Sequence, residues 1–249
     1  MNIRFLGTGA AEGIPSFGCT CRQCKLARKE GGLNVRKRAS LLVEVNSRRI
    51  LLDTPPEISL LLNQAEVFNL TAIFLSHEHY DHIGGLIAFE FWNQVLPIFA
   101  GFDTLPHLRL TPRLESRALL SGFSTQSFLH FADLRIMPFK VSHHVPCYGF
   151  SFEANRKRVV HFTDSSSELS DLHRHIAKEA DLVIFHTPTF ETNRNHLSVQ
   201  NVISLVKDSS LKRVIITHIN HNNFSHTELE EKVAPWAITV AHDGLSLEV

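Results

Sequence analysis

Short apolar runs, separated by polar and turn-forming residues, dominate the chain. Runs at 3–6, 40–45, 50–52 and 72–75 fill its first third. Runs at 134–141, 148–153, 159–162, 181–185, 214–217, 238–241 and 245–249 fill the rest. Their lengths and their Val, Ile and Phe content predict strands. Helical patterns lie between them. Residues 56–64 begin near two prolines, which suit a first helical turn. Ser165 with Glu168, and Ser225 with Glu228, fit the capping box, in which a serine N-cap and a residue three later satisfy each other's backbone N–H groups. Residues 198–206 carry Val199, Val202, Ile203 and Val206 at helical spacing. Strands alternating with helices predict an α/β chain of layered sheets. No repeat, low-complexity tract or Pro/Ser linker divides residues 1–249, so one domain is expected. Residues 103–130 are the least regular stretch and read as a loop or lid that carries specificity.

Composition narrows the possibilities. A chain of 249 residues can bury a sizeable core without disulfides. Its 25 Lys and Arg balance 25 Asp and Glu, which argues against holding nucleic acid by bulk charge. With 43% hydrophobic and 20% charged residues it reads as a folded globule rather than a disordered chain. No apolar run approaches the roughly 18 residues of a membrane helix, so no membrane partner is expected. The start, Met1 to Gly7, turns to glycine too soon for a signal peptide, and a cytoplasmic, reducing location is expected. Histidine is the outlier, at sixteen residues.

Those histidines are ordered. The run at 72–75 feeds Ser76-His77-Glu78-His79-Tyr80-Asp81-His82, a pattern H-x-H-x-D-H, followed by Gly84-Gly85. His77 and His79 are two apart, so on extended backbone they point to one side and can share an ion. Asp81 and His82 follow a turn and can face a second ion. Further candidate ligands stand where later apolar runs stop: His143, Asp164 and His218. Imidazole nitrogens with a few carboxylates suit zinc, manganese, iron or nickel. A second cluster, Cys19-Thr20-Cys21-Arg22-Gln23-Cys24, follows Gly13-Ile14-Pro15. In a reducing compartment such packing reads as metal binding. A closed zinc site needs a fourth ligand; Cys147 and a distant histidine such as His221 are the candidates.

H-x-H-x-D-H followed by His143, Asp164 and His218 resembles the metallo-β-lactamase superfamily. The resemblance spans nearly the whole chain and implies an αββα four-layer sandwich with a dinuclear site on one edge. It implies that His77, His79 and His143 hold the first ion, that Asp81, His82 and His218 hold the second, and that Asp164 bridges them. Asp53 matches the superfamily's supporting aspartate. The His–x5–Gly spacing to Gly149 selects His143 over its neighbour His144. Gly-x-Pro before C-x-C-x-x-C, with Thr217-His218-Ile219-Asn220-His221 near the other end, resembles one branch. That branch contains the cyclic-phosphate phosphodiesterase of bacterial phosphonate breakdown (PhnP). The likeness implies a structural zinc on Cys19, Cys21, Cys24 and His221, in a finger at about 13–30. Arg36 and Arg38 resemble the branch's basic stretch, Cys147 matches nothing, and a homodimer is implied.

Two close ions can hold a hydroxide beside Asp81 and Asp164 and clamp a phosphate. His196, which matches a histidine kept near the leaving group in phosphodiesterase branches, is the candidate proton donor. The expected activity is hydrolysis of a small, cyclic phosphate ester, with two divalent ions (zinc or manganese) in the site. Ribonuclease Z is the nearest competing enzyme. Its His-Glu-Ala-Thr motif uses the Glu to orient the catalytic histidine; here the stretch is His186-Thr187-Pro188-Thr189, with Thr187 at the Glu position. A protein like the B protein of pyrroloquinoline-quinone synthesis is a third reading, and a metal-binding scaffold without turnover is a fourth.

Overall fold

The computed structural model describes residues 1–249 apart from 126, 168 and 194. Its strands form two mixed sheets. The first contains β1 (Asn2–Gly7), β2 (Ser40–Val45), β3 (Arg48–Leu52), β4 (Ala72–Phe74), β5 (Leu96–Gly101) and β6 (Ala118–Phe123). The second contains β7 (Leu129–Phe131), β8 (Leu134–Val141), β9 (Cys147–Ala154), β10 (Lys157–Phe162), β11 (Leu182–His186), β12 (Val214–Thr217) and β13 (Ile238–Val240). The final strand, β14 (Ser246–Glu248), returns to pair with β1. Each sheet begins antiparallel and turns parallel, at β3–β4 in the first and at β10–β11 in the second. The parallel halves need crossovers, and helices supply most of them.

The helices are α1 (Arg22–Glu30), α2 (Ile58–Gln64), α3 (Tyr80–Ile83), α4 (Pro112–Glu115), α5 (Asp171–Lys178), α6 (Val199–Asp208) and α7 (His226–Val233). They cover the outer faces. Leu61 and Leu62 of α2 pack with Leu51, Ile73 and Ile98 of the first sheet. Ile176, Val199, Val202 and Leu229 pack with Val160, Phe162, Val183 and Phe185 of the second. Between the sheets lie Phe5, Leu41, Phe74, Phe150, Phe152, Ile184 and Ile215. The order helix, sheet, sheet, helix is the expected αββα sandwich. Each fully buried residue of this size contributes about 1.5–3 kcal/mol, so the layers, not helix propensity, hold the fold.

Several expectations need correction. Residues 103–130 are not a lid. They hold α4, the outermost strand of the first sheet, β6, and the outermost strand of the second, β7. The capping box expected at Ser165 does not start a helix. Helix α5 begins five residues later, where Ser170 accepts from His173 N–H and the His173 ring accepts from Ser170 N–H; residue 168 lies outside the described residues. The box at Ser225 is present, with Glu228 closing it. The 56–64 helix begins at Ile58. Helix α1 and strands β5 to β7 were not expected.

Candidate metal centre and cysteine finger

Strand ends build the centre. β4 leads through Leu75, whose N–H donates to Phe99, into Ser76 and the histidines. The chain bends at Glu78, is extended at His79, the N-cap position of α3, and then coils, which brings Asp81 and His82 round beside His77. Gly85 lets this turn close: a Cβ there would lie 2.0 Å from the Pro55 carbonyl oxygen. Asp53 and His218, at the ends of β3 and β12, both adopt left-handed backbone with φ of 62° and 61°. Such conformations cost about 1 kcal/mol or more for non-glycine residues and cluster at functional sites. Here they turn both side chains toward the centre.

The structure brings all seven expected residues together. The ligand atoms of His77, His79, His143 and Asp164 lie within 4.8 Å of one another, and so do those of Asp81, His82 and His218. His82 Nε2 is 3.2 Å and His218 Nε2 3.4 Å from Asp81 Oδ2. Asp164 reaches both groups, with Oδ1 3.6 Å from His218 Nε2 and Oδ2 3.9 Å from His77 Nε2. Asp53 supports from behind: its Oδ2 lies 2.7 Å from His82 Nδ1, and its Oδ1 accepts the Ser76 N–H at 2.7 Å. His144, set aside as a neighbour, stands with Nε2 2.9 Å from His79 Nε2.

The donor set fits divalent cations. His82 Nε2 and both ring nitrogens of His143 are buried without a hydrogen-bond partner among the described residues. Burial depresses His77, His79 and His143, the last to about 4, so these rings are neutral near pH 7. Burial alone would raise the Asp81 and Asp164 carboxyls, but His82 and His218 beside Asp81, and His218 and His186 beside Asp164, hold both well below the usual range. His82 is the exception among the rings. Burial opposes its charge, yet Asp53 and Asp81 raise it well above the ordinary value. Two buried carboxylates against the single charged ring of His82 leave a net negative charge that a cation balances.

An open cleft of about 370 Å³ reaches this centre. Ala10, Ala11 and Glu12 line it together with Thr189, Asn193, Asn195 and Asn220. Among the described residues, none of 103–130 lines it. His196 lies half-buried in the wall, Nδ1 4.0 Å from Asp164 Oδ2. Thr187 is buried, and its hydroxyl finds no partner among the described residues. Arg36 and Arg38 hold the framework: Arg36 is buried and donates to Thr8 and the Ala241 carbonyl, while Arg38 pairs with Glu57 and donates to the Ala11 carbonyl.

The cysteine cluster forms as a separate group. The sulfurs of Cys19, Cys21 and Cys24 and a ring nitrogen of His221 lie within 4.8 Å of one another. Cys21 caps α1, accepting from Cys24 N–H. Against the effect of burial, that bond and His221 bring the Cys21 thiol down to about 6, whereas burial raises Cys24 to about 11. His221 Nδ1 is 3.3 Å from Cys19 Sγ and 3.5 Å from Cys21 Sγ. Soft sulfurs with one imidazole suit structural zinc. Cys147, the other candidate fourth ligand, is buried in β9 against Thr163.

Comparison with known proteins agrees with this architecture. Residues 48–219, the larger part of the chain, match the Beta-lactamase superfamily domain, and the chain belongs to that superfamily. A Porphyromonas gingivalis protein named octanoyltransferase is 26% identical over 259 residues. The match takes in 98% of this chain but 51% of that protein, so the chain spans about half that relative's length. A diphosphatase from the PhnP family superposes with a TM-score of 0.88 at 23% identity, covering 100% of this chain and 97% of its own. Zinc-bound PqqB from Methylobacterium extorquens gives 0.90 at 20% identity, with 100% of both chains covered. These likenesses show the metallo-β-lactamase fold. No helix among the described residues is long and apolar enough to cross a membrane.

Proposed function

We propose that the protein is a metal-dependent phosphodiesterase acting on a small, cyclic phosphate ester. The observation that carries this is the arrangement of two three-residue ligand groups joined by Asp164 at the floor of an open cleft, with His196 on its wall. His77, His79 and His143 would hold one divalent ion, Asp81, His82 and His218 the other, and Asp164 both. Bound there, the ions would supply Lewis acidity at phosphorus and a water acidic enough to be a nucleophile near pH 7. The chain's own residues do the rest. Asp81 and Asp164 stay ionised and hold charge and solvent in place. His196, depressed chiefly by burial, is neutral near pH 7. It can accept the proton that the nucleophilic water gives up and deliver it to the leaving oxygen. The Asn195 side chain lines the cleft and can hydrogen-bond an ester's polar groups, and the modest cleft favours a small molecule over an RNA arm.

Hydrolysis of bis-p-nitrophenyl phosphate with zinc or manganese added, followed by a panel of cyclic phosphates, tests this. Turnover with preference for a cyclic diester is expected. Absence of turnover with every metal would contradict it. The end-to-end likeness to PqqB favours one second reading, a role like that protein's in cofactor synthesis, and inactivity on all phosphate esters would turn attention there.

A further inference from the structure

Two histidines interrupt the apolar layer between the sheets. In β10 the pleat sends Val159 and His161 inward and Val160 and Phe162 outward; in β11 it sends Leu182, Ile184 and His186 inward. Both rings are buried, at 3% and 2% exposure. His186 Nδ1 lies 2.8 Å from Asp164 Oδ1. A carboxylate only accepts, so this nitrogen carries the proton. His186 Nε2 is then a lone pair, and it faces His161 Nε2 at 3.0 Å. A hydrogen bond there requires the proton on His161. Burial supports neutral rings, with His186 brought down to about 4 and His161 well below its ordinary value.

The remaining nitrogen, His161 Nδ1, has no partner among the described residues, and neither has the Thr217 hydroxyl. Both residues border a cavity of about 10 Å³ shared with Ser40 and Asp53, which is the room one water needs. The His186 ring is also fixed in plane. It stacks on His218 at 4.5 Å and 8°, and it meets His161 edge-on at 4.8 Å. With Oδ1 tethered, Asp164 Oδ2 is aimed at His77, His82 and His196, 3.8–4.0 Å away.

We propose that His161 and His186 are positioning residues, a buried relay of two imidazoles in opposite tautomers that aims the Asp164 carboxylate and so tightens metal binding at the centre. This rests on the reading of Asp164 as a ligand shared by both groups. The test uses the full chain with zinc alone as probe, in chelator competition, the finger's zinc serving as internal reference. His161→Phe keeps the ring but removes the donor to His186; metal affinity at the centre should fall about 10- to 100-fold. His161→Gln places an amide N–H near the lost Nε2–H and should restore most of that affinity. In metal-free wild-type protein, long-range proton–nitrogen NMR should show His186 protonated on Nδ1 and His161 on Nε2. Unchanged affinity in His161→Phe, an equal loss in both variants, or the reverse tautomers would overturn the proposal. If His161→Phe does not fold, the glutamine variant and the tautomers decide. Wild-type protein that takes up only the finger's zinc would overturn the reading of the centre itself, and the tautomer result would still stand apart from it.

Discussion

The cysteine finger and the histidine–aspartate centre share one short segment, 217–221, which sends His218 to one and His221 to the other. They are built on different plans. The finger offers three sulfurs and one imidazole, all spent on a single point, at the N-terminus of α1. The centre spreads seven candidate ligand residues over two groups and opens onto a cleft of about 370 Å³. Closed donor sets hold structure together, and open ones leave a coordination position for chemistry. The finger also sits close behind the cleft wall. Glu12, which lines the cleft, accepts from the Asn220 side chain and lies 4.0 Å from His221 Nε2.

The largest expected effect breaks one side of that contrast. His79→Ala removes a ligand from the first group and should lower turnover of bis-p-nitrophenyl phosphate by roughly a thousandfold or more, with the finger's zinc retained. Full activity at measured metal content would mean that the ligand assignment is wrong. Next, His196→Ala should slow alkyl phosphodiesters by about 100-fold or more and nitrophenyl esters by less than about tenfold, because nitrophenolate leaves without a proton. Equal slowing of both argues against proton delivery. Cys21→Ser acts on the other side. It should lose one zinc and lower Tm by about 5–10 °C while the centre still loads. Joint loss of both metal populations would show that the two regions form one unit.

The smallest effect concerns protons. Asp53 and Asp81 hold His82 protonated near pH 7, whereas His77, His79 and His143 are already neutral. A ligand nitrogen must be free, so loading the centre should release about one proton, and affinity should rise with pH by about tenfold per unit through the neutral range. The sign for the metal-free fold runs the other way: His82, raised in the folded chain, stabilises it below its unfolded pKa and loses that contribution as pH rises. Calorimetry in buffers of different ionisation enthalpy measures the release, and none would contradict the assignment of charge to His82.

The parts of the site that were legible in the sequence are those whose ligands are contiguous or stand where an apolar run stops. H-x-H-x-D-H and C-x-C-x-x-C are of the first kind; His143, Asp164 and His218 are of the second. The buried relay was hidden because His161 and His186 sit within or at the end of apolar runs, and only the alternation of Val159 with His161, and of Ile184 with His186, marks them as facing inward. Strands β5 and β6 escaped for a different reason. Pro97 interrupts one, and Ser121 with Gly122 dilutes the other, which leaves Leu119 and Leu120 exposed at the sheet's edge. Helix α1 buries a cysteine and an alanine where an aliphatic stripe was sought. Helix α5 closes its capping box with His173 in place of an acidic or amide side chain. Specificity was assigned to residues 103–130 because irregularity suggested a loop, whereas the cleft at the centre is lined, among the described residues, by 10–12, 188–189, 193, 195–196 and 220.

The central claim is that the chain carries two kinds of metal site, one closed and one open. Metal content per chain, measured by elemental analysis on tag-free protein before and after dialysis against a mild chelator, tests it most directly. About three ions are expected at first and about one retained zinc afterwards. Loss of all metal together, or a single ion from the outset that added zinc or manganese does not supplement, would contradict it.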